Sequence, residues 1–259
     1  MIKRAQNRCK IFRETILELS QKVGALHIGG SFSSVEIVDC IYNVLKKKND
    51  KFILSKGHTG ILQYTILQYK KIISKKKLFS YCQKNSTLGV HPDYGSIGIE
   101  ASTGSLGHGL GLAAGMSFGM KRQNNIYVVM SDGELMEGTT WEYALTISSF
   151  KINNIILVVD KNGLQSGTRS KDTHPTLEPV TAKFKSFGWE VKTCNGHDTL
   201  DIYKKIKNKN PLKPLALIAS TTKGYPISFM SNKPLWHYRS PDKIEYKKAL
   251  KELSVFNRN

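Results

Sequence analysis

Val128-Val129-Met130-Ser131-Asp132-Gly133-Glu134-Leu135, and further on Val158-Val159-Asp160-Lys161-Asn162-Gly163, decide the fold of this 259-residue chain. In each stretch an apolar, β-branched run stops at an oxygen-bearing side chain beside a glycine. That is the pattern of a buried parallel strand delivering a polar residue at its carboxyl end, and those ends are where open α/β sheets bind ligands. Asp and Asn are hard oxygen donors. Two of them at neighbouring strand ends would hold Mg²⁺, with a backbone carbonyl, water and substrate phosphates filling the other positions. Asp-Gly or Asn-Gly alone reads as an ordinary turn, so the weight comes from other segments pointing to the same place.

Outward from these strands, helical and strand periodicities alternate. Ile11, Phe12, Ile16 and Leu19 lie at helical spacing within 4–22, and Ser33 or Ser34 caps a second helix through Val35, Ile37, Val38, Ile41 and Leu45. A short strand at 51–55 precedes a helix over 61–70. Residues 104–119 are glycine-rich yet periodic, and small residues there allow close approach of a helix to a ligand or another helix. Strands follow at 126–130, 155–160, 189–193 and 215–219, with helices over 139–150, 180–187 and 199–207 and an irregular tail from about 220. The spacing predicts an α/β fold in one domain over 1–259, a doubly wound, mostly parallel sheet with helices on both faces.

With 40% hydrophobic residues the chain has enough apolar material for such a core. No stretch reaches the roughly 18 uncharged apolar residues of a membrane span, and the basic start lacks a signal peptide's apolar core, so no membrane association and a cytoplasmic location are expected. The four cysteines, Cys9, Cys40, Cys82 and Cys194, lie far apart and read as reduced thiols. A net charge of +19 raises nucleic-acid binding as a rival function. The charge is mostly Lys in solvated runs such as 46–48 and 75–77, without interleaved aromatics, helix-turn-helix or zinc-finger spacing, which argues against it. A basic surface equally draws in sugar phosphates.

Four histidines sit beside glycine, proline or an aromatic in loop-like contexts: His27, His58, His91 and His237. One such residue is ordinarily a surface feature. Four invite a common pocket, where imidazoles move protons on hydroxyl and carbonyl oxygens or hold phosphate.

The ordered set His27-Ile28-Gly29-Gly30-Ser31, Leu54-Ser55-Lys56-Gly57-His58, Gly89-Val90-His91-Pro92-Asp93, the run 100–109 from Glu100 through Ser102-Thr103-Gly104-Ser105-Leu106-Gly107-His108, Ser131-Asp132-Gly133-Glu134, Asp160-Lys161-Asn162-Gly163-Leu164-Gln165, Thr222-Lys223-Gly224 and Trp236-His237 resembles transketolase, specifically the amino-terminal half that some bacteria encode separately. The resemblance covers nearly the whole chain. It implies thiamine diphosphate and Mg²⁺ (or Ca²⁺) as cofactors. Asp132, Asn162 and the carbonyl of Leu164 would ligate the cation. Gly133, Gly104 and Leu106 would line the diphosphate and thiazolium, and Lys223 and His237 would meet the diphosphate. His27, His58, His91 and His237 would be active-site histidines for the substrate sugar, and Glu137 the interface carboxylate linked to the partner's site.

The activity implied is transfer of a two-carbon ketol unit between phosphorylated sugars, as in the pentose phosphate pathway. The resemblance places the carboxylate that activates the aminopyrimidine on a second, pyrimidine-binding domain. This chain is therefore expected to be inactive alone and to assemble, as a homo- or hetero-oligomer, with a separate carboxyl-terminal subunit. The segment 106–116 and the helix after Glu137 are the expected contact, against the alternative that both pack inside the domain. An α-type subunit of a 2-oxo acid dehydrogenase is the nearest rival enzyme, disfavoured by the histidine set. A non-catalytic nucleic-acid-binding relic is the rival of another class. Departures from the family pattern are Ser131 for glycine, His108 for glutamine, Gly224-Tyr225-Pro226 for a second glycine pair, and Tyr238 for glycine. Ser131 fits if its backbone is extended and is strained if φ is positive.

Overall fold

Alternation along the strands places two cores, one on each face of a single sheet. A computed structural model describes residues 2–256, with side chains from Arg4 onward. The chain runs α1 (Ile2–Ser20), α2 (Ile28–Ser33), α3 (Val35–Cys40, continued by a wide turn Ile41–Leu45), β1 (Lys51–Leu54), α4 (Gly60–Tyr69), α5 (Lys75–Leu78), α6 (Gly109–Gly119), β2 (Ile126–Ser131), α7 (Gly138–Ser149) and β3 (Ile155–Lys161). It continues through the two-residue strands β4 (Leu164–Gln165) and β5 (Thr168–Arg169), α8 (Ser170–Thr173), α9 (Val180–Ser186), β6 (Glu190–Asn195), α10 (Thr199–Lys207), β7 (Leu215–Ser220) and α11 (Lys243–Phe256).

The main sheet has the order β1-β2-β3-β7-β6 and every pairing in it is parallel. Phe52, Leu54, Tyr127, Val129, Ile156, Val158, Leu215 and Leu217 face a core built with α1, α2, α3, α4, α10 and α11. Their neighbours Ile53, Ile126, Val128, Met130, Ile155, Leu157, Val159, Ala216 and Ile218 face a second core with α6, α7 and α9. Each fully buried branched side chain contributes about 1.5–3 kcal/mol, which is why these strands read as unbroken apolar runs.

From β1 to β3 the order advances in one direction, whereas β6 returns to β7, with α7 and α10 on opposite faces. The reversal puts the topological switch between β3 and β7, so a crevice opens at their carboxyl ends.

Two regions differ from the sequence expectation. The helix expected after Ser34 is present over Val35–Leu45, but an additional short helix, α2, precedes it from Ile28, where Gly29 passes the carbonyl of Trp236, which a Cβ would approach to 2.5 Å. The tail is irregular only as far as Asp242. There the Asp242 carboxylate accepts from the amides of Ile244 and Glu245, both at 2.8 Å, while Glu245 accepts from the Asp242 amide at 3.0 Å. This reciprocal cap starts α11, whose Ala249 and Leu253 then bury against the first core.

Glycines of α6 test the packing. A methyl group at Gly109 would meet Ser55 Cβ at 2.4 Å, while one at Gly115 would meet nothing within 4 Å. Gly109→Ala is expected to cost about 1–3 kcal/mol. Gly115→Ala should gain about 0.4–1 kcal/mol through the unfolded state. Urea unfolding of the two variants checks the opposite signs.

Candidate functional site

Asp160, next to last in β3, lies on the face of Ile156 and Val158 and turns back into the protein. Its fully buried carboxylate accepts from Ser33 Oγ at 2.6 Å and Ser34 Oγ at 2.7 Å, bonds Thr221 Oγ1 and pairs with Lys56 Nζ. Lys56, also without exposure, donates to the Gly30 carbonyl at 2.9 Å and Ser34 Oγ at 2.8 Å. Burial pushes Asp160 up, but the Lys56 charge and these hydrogen bonds outweigh it and hold it at about 2. One ion pair thus fastens the carboxyl ends of β1, β3 and β7 to α2 and α3. Lys56 was not among the site residues expected from sequence, although it lies in the motif that carries His58. Nothing in its spacing marks it as the partner of a carboxylate more than a hundred residues away.

Asp132, one residue beyond β2, is 2% exposed. Its Oδ2 accepts from the Gly163 amide at 2.7 Å and its Oδ1 from the Gly133 amide at 3.1 Å. Among the described residues no Lys, Arg or His lies at ion-pair distance from it. Burial and then the Asp160 charge raise it to about 7, the Gly163 hydrogen bond opposing. Asn162 Oδ1 accepts from the Leu164 amide at 3.1 Å, so both oxygen donors sit on abutting loops of adjacent strands. Ser131, with φ −87° and ψ 160°, is extended and unstrained, and its hydroxyl and Glu134 close a cap over the turn. Glu134, fully buried, accepts from Ser55 Oγ at 2.5 Å and from the amides of Gly107 at 3.1 Å and Ser131 at 2.8 Å.

A cavity of about 210 Å³ lies over these strand ends. His27, Lys56, His58, Gly104, Leu106, Gly133, Asn162, Leu164, Lys223 and His237 all line it, joined by Gly30, Ser131, Gln165 and Ser166. The His27 ring lies 5.0 Å from those of His58 and His237, and 4.6 Å from Tyr238. His91 stands one layer out, its ring where a Cβ on Gly104 would come within 3.1 Å, at a φ of +146° that favours glycine. Glu137 is not brought to this group. It is exposed at the start of α7, beside Gly107. His108 is exposed at the start of α6, bonded to the Leu106 carbonyl.

Lys223, 2% exposed, donates to His237 Nδ1 at 2.9 Å and to the Ser166 carbonyl at 3.3 Å. That bond fixes the proton of neutral His237 on Nε2. Burial, then the Lys56 charge, lowers Lys223 to about 8. Burial lowers His27 to about 4, with help from His91 and Lys223, and His237 to about 3, with help from Lys223. Burial likewise takes His58 well below its usual range, with Lys56 next in effect. The buried Nδ1 of His27 has no hydrogen-bond partner. A cavity lined by glycine, two buried lysines and three neutral imidazoles suits an anionic, hydroxyl-rich ligand.

The same surroundings fit a diphosphate cofactor with its cation. Among the described residues no three His, Cys, Asp or Glu side chains gather to hold a metal. A cation here would rely on one carboxylate, one amide and a carbonyl, a hard set completed by phosphate oxygens.

Residues 7–252 match the family described as transketolase, thiamine diphosphate binding domain. The chain is 36% identical to an apulose-4-phosphate transketolase subunit of Actinobacillus succinogenes, spanning 96% of this chain and 95% of that one. It is 31% identical to the 6-deoxy-6-sulfo-D-fructose transketolase subunit SqwG of a Clostridium species, again over 96% and 95%. Human transketolase is 27% identical over 97% of this chain but 42% of its own length. The transketolase structure from Campylobacter jejuni superposes with a TM-score of 0.89 at 26% identity, over 98% of this chain and 42% of that one.

Three histidines held neutral make a pH prediction. The folded protein binds fewer protons than the unfolded chain below the unperturbed histidine value of about 6.5, so stability is full above that pH and falls as pH drops toward 4. Asp132, raised to about 7, and Glu134, also raised, take up protons in the folded state and oppose this decline, but the three imidazoles outweigh them. The depressed carboxylates Glu36 and Asp160, both at about 2, begin to lose their contributions only below the unperturbed carboxylate value of about 4.5. Urea unfolding between pH 7 and 5 should show the decline, and His27→Gln should flatten it. An unchanged slope in that variant would show that His27 is not held neutral.

Proposed function

Because the chain belongs to the transketolase thiamine diphosphate-binding domain family, we propose that it is the diphosphate-binding subunit of a split transketolase, moving a two-carbon ketol unit between phosphorylated sugars with a separate carboxyl-terminal chain. The observation that carries this reading is the convergence of His27, His58 and His237 on a cavity lined at the strand ends by Gly133, Asn162 and Lys223, with Asp132 buried next to Gly133. The relatives matched over 95% of their own length are named as subunits, which supports a two-chain enzyme. Polyhydroxylated sugar phosphates exchanged in the pentose phosphate pathway are the proposed substrates. The names of the same relatives favour a second sugar class, apulose 4-phosphate or a sulfo sugar.

Asp132, Asn162 and the Leu164 carbonyl would hold Mg²⁺ or Ca²⁺. Gly104, Leu106, Gly133, Lys223 and His237 would hold the diphosphate and thiazolium. Thiamine diphosphate, when bound, supplies a carbon nucleophile and an electron sink for cleavage next to a ketose carbonyl. The chain's own residues do the rest. Lys223 and Lys56 set a positive potential that draws phosphate in. His237, with its proton on Nε2, donates to a substrate oxygen. The His27 ring, which lines the cavity, faces a hydroxyl of the sugar, and His58, half-buried and neutral, accepts or returns a proton. His91, behind Gly104, keeps the rim closed to water.

The second wall would come from the partner. On the outer faces of α6 and α7, Leu112, Phe118, Leu145 and Phe150 are exposed, with the Phe118 and Phe150 rings 5.7 Å apart. The inner faces, including Leu110, Ala113, Ala144 and Ile147, pack in the second core. The two helices therefore serve both readings, core on one side and uncovered apolar surface on the other. Glu137, exposed at the start of α7, would meet a residue of that partner.

The purified chain is expected to show no ketol transfer, and to gain it when mixed with its carboxyl-terminal partner. His58→Ala and His237→Ala should each lower transfer by about 10²–10⁴-fold without moving the melting temperature by more than a few degrees. Robust transfer by the chain alone, free of partner by mass spectrometry, contradicts the reading.

A further inference from the structure

On the face of α1 and α3 away from the cavity, a second buried polar network reaches the Lys223 loop from behind. Arg13, 1% exposed, makes a two-pronged pair with Glu36, Nη1 to Oε1 at 2.6 Å and Nη2 to Oε2 at 2.8 Å. The guanidinium also donates to the carbonyls of Phe32 and Tyr225, each at 3.0 Å. Glu36 Oε2 receives His197 Nδ1 at 3.2 Å, and His197 Nε2 accepts the Thr222 amide at 2.9 Å. The His197 ring stacks on Tyr225, centroids 3.8 Å apart and planes 22° from parallel. Thr222 and Tyr225 bracket Lys223.

The chemistry of this chain of bonds is directional. Arg13 keeps Glu36 ionised: burial pushes Glu36 up, and Arg13 with the His197 hydrogen bond overcomes that and holds it at about 2. An ionised carboxylate only accepts, so His197 Nδ1 must carry the hydrogen, which leaves Nε2 as the lone pair that the Thr222 amide needs. A backbone amide facing the interior there would otherwise lack a partner. Tyr225 stands where the family pattern has glycine freedom, and it is caught between the imidazole and the Arg13 guanidinium, 5.6 Å from the ring centre. The loop is fastened on its other side as well, by Gly224 N to the Gly29 carbonyl at 3.0 Å and Asn232 N to the Lys223 carbonyl at 2.8 Å.

We infer that His197, oriented by Glu36 and Arg13 and packed on Tyr225, is a positioning residue that holds the 222–225 loop so that Lys223 presents its ammonium to the diphosphate. His197 touches no ligand itself. The inference rests on the reading of Lys223 as a diphosphate-binding residue. Its consequence is that cofactor binding meets a loop already in place, so the ordering cost falls on folding and not on binding.

The test is calorimetric titration of thiamine diphosphate with Mg²⁺ into the full chain and its variants, beside thermal unfolding and, with the partner chain, the split between KM for the cofactor and kcat. His197→Ala strands the Thr222 amide and is expected to weaken cofactor binding about tenfold, a loss in the range for an unsatisfied buried group, raising the cofactor KM with little change in kcat. His197→Gln, whose amide offers both a donor to Glu36 and an acceptor to Thr222, should recover most of the affinity. If His197→Ala lowers the melting temperature but leaves affinity within twofold, the network is only structural and the inference falls. Should His197→Ala not fold, half-buried Tyr225→Ala takes its place: several-fold weaker binding supports the inference, and unchanged binding overturns it. Lys223→Ala separates the two levels, since unchanged affinity in that variant overturns the reading of Lys223 itself.

Discussion

The buried pair of Lys56 and Asp160 is the constraint on which the site depends. Two opposite charges with no exposure sit where β1, β3 and β7 end, and their remaining hydrogen-bonding capacity is met by Ser33, Ser34, Thr221 and the Gly30 carbonyl. Removing one partner would leave the other charged and unpaired in the interior, at a cost of about 3–5 kcal/mol. The geometry that follows is specific: α2, carrying Gly30 just after His27, is drawn onto the strand ends, and the histidine loops close over the crevice. The same ammonium lies at the cavity wall, so the group that fixes the architecture also sets its positive potential.

That potential explains why neighbouring groups carry unusual protonation preferences. Burial disfavours the charged forms of Lys223 and of the three imidazoles, and the Lys56 charge adds to that at each of them. Asp132 is the reverse case, a carboxylate dried out beside Asp160 and raised to about 7. Lys56 and Lys223 line the cavity and the unpaired Asp132 carboxylate is buried next to its Gly133 wall, an arrangement matched by a ligand with anionic and cationic parts.

Most of the fold was legible because strands buried on both faces leave continuous apolar runs. The central strands β2, β3 and β7 fall where apolar stretches such as 126–130 and 155–160 predict them, while β1 is short and the edge strand β6, half-exposed, carries only a weak pattern. Less legible was which strand-end oxygen faces the ligand. Asp132, Asp160 and Asn162 look alike in sequence, yet Asp160 continues the alternation of Ile156 and Val158 and is spent on Lys56. The start of α2 was hidden by two glycines that weaken helix propensity, Gly29 required by close contact with Trp236 and Gly30 packed against Thr59. Helix α11 was hidden behind Pro and aromatic residues, although Asp242 and Glu245 form a readable capping pair. The histidine loops were recognised by their ordered motifs, whereas the Arg13–Glu36–His197 network has no local signature because its members meet only through tertiary packing.

A crystal structure of the full chain with thiamine diphosphate and Mn²⁺, with anomalous scattering to locate the metal, tests the central claim most directly. The account predicts the metal between Asp132, Asn162 and the Leu164 carbonyl, the diphosphate within reach of Lys223 and His237, and Asp160 still paired with Lys56. A metal bound by Asp160, or a diphosphate seated away from the β2, β3 and β7 ends, would contradict it.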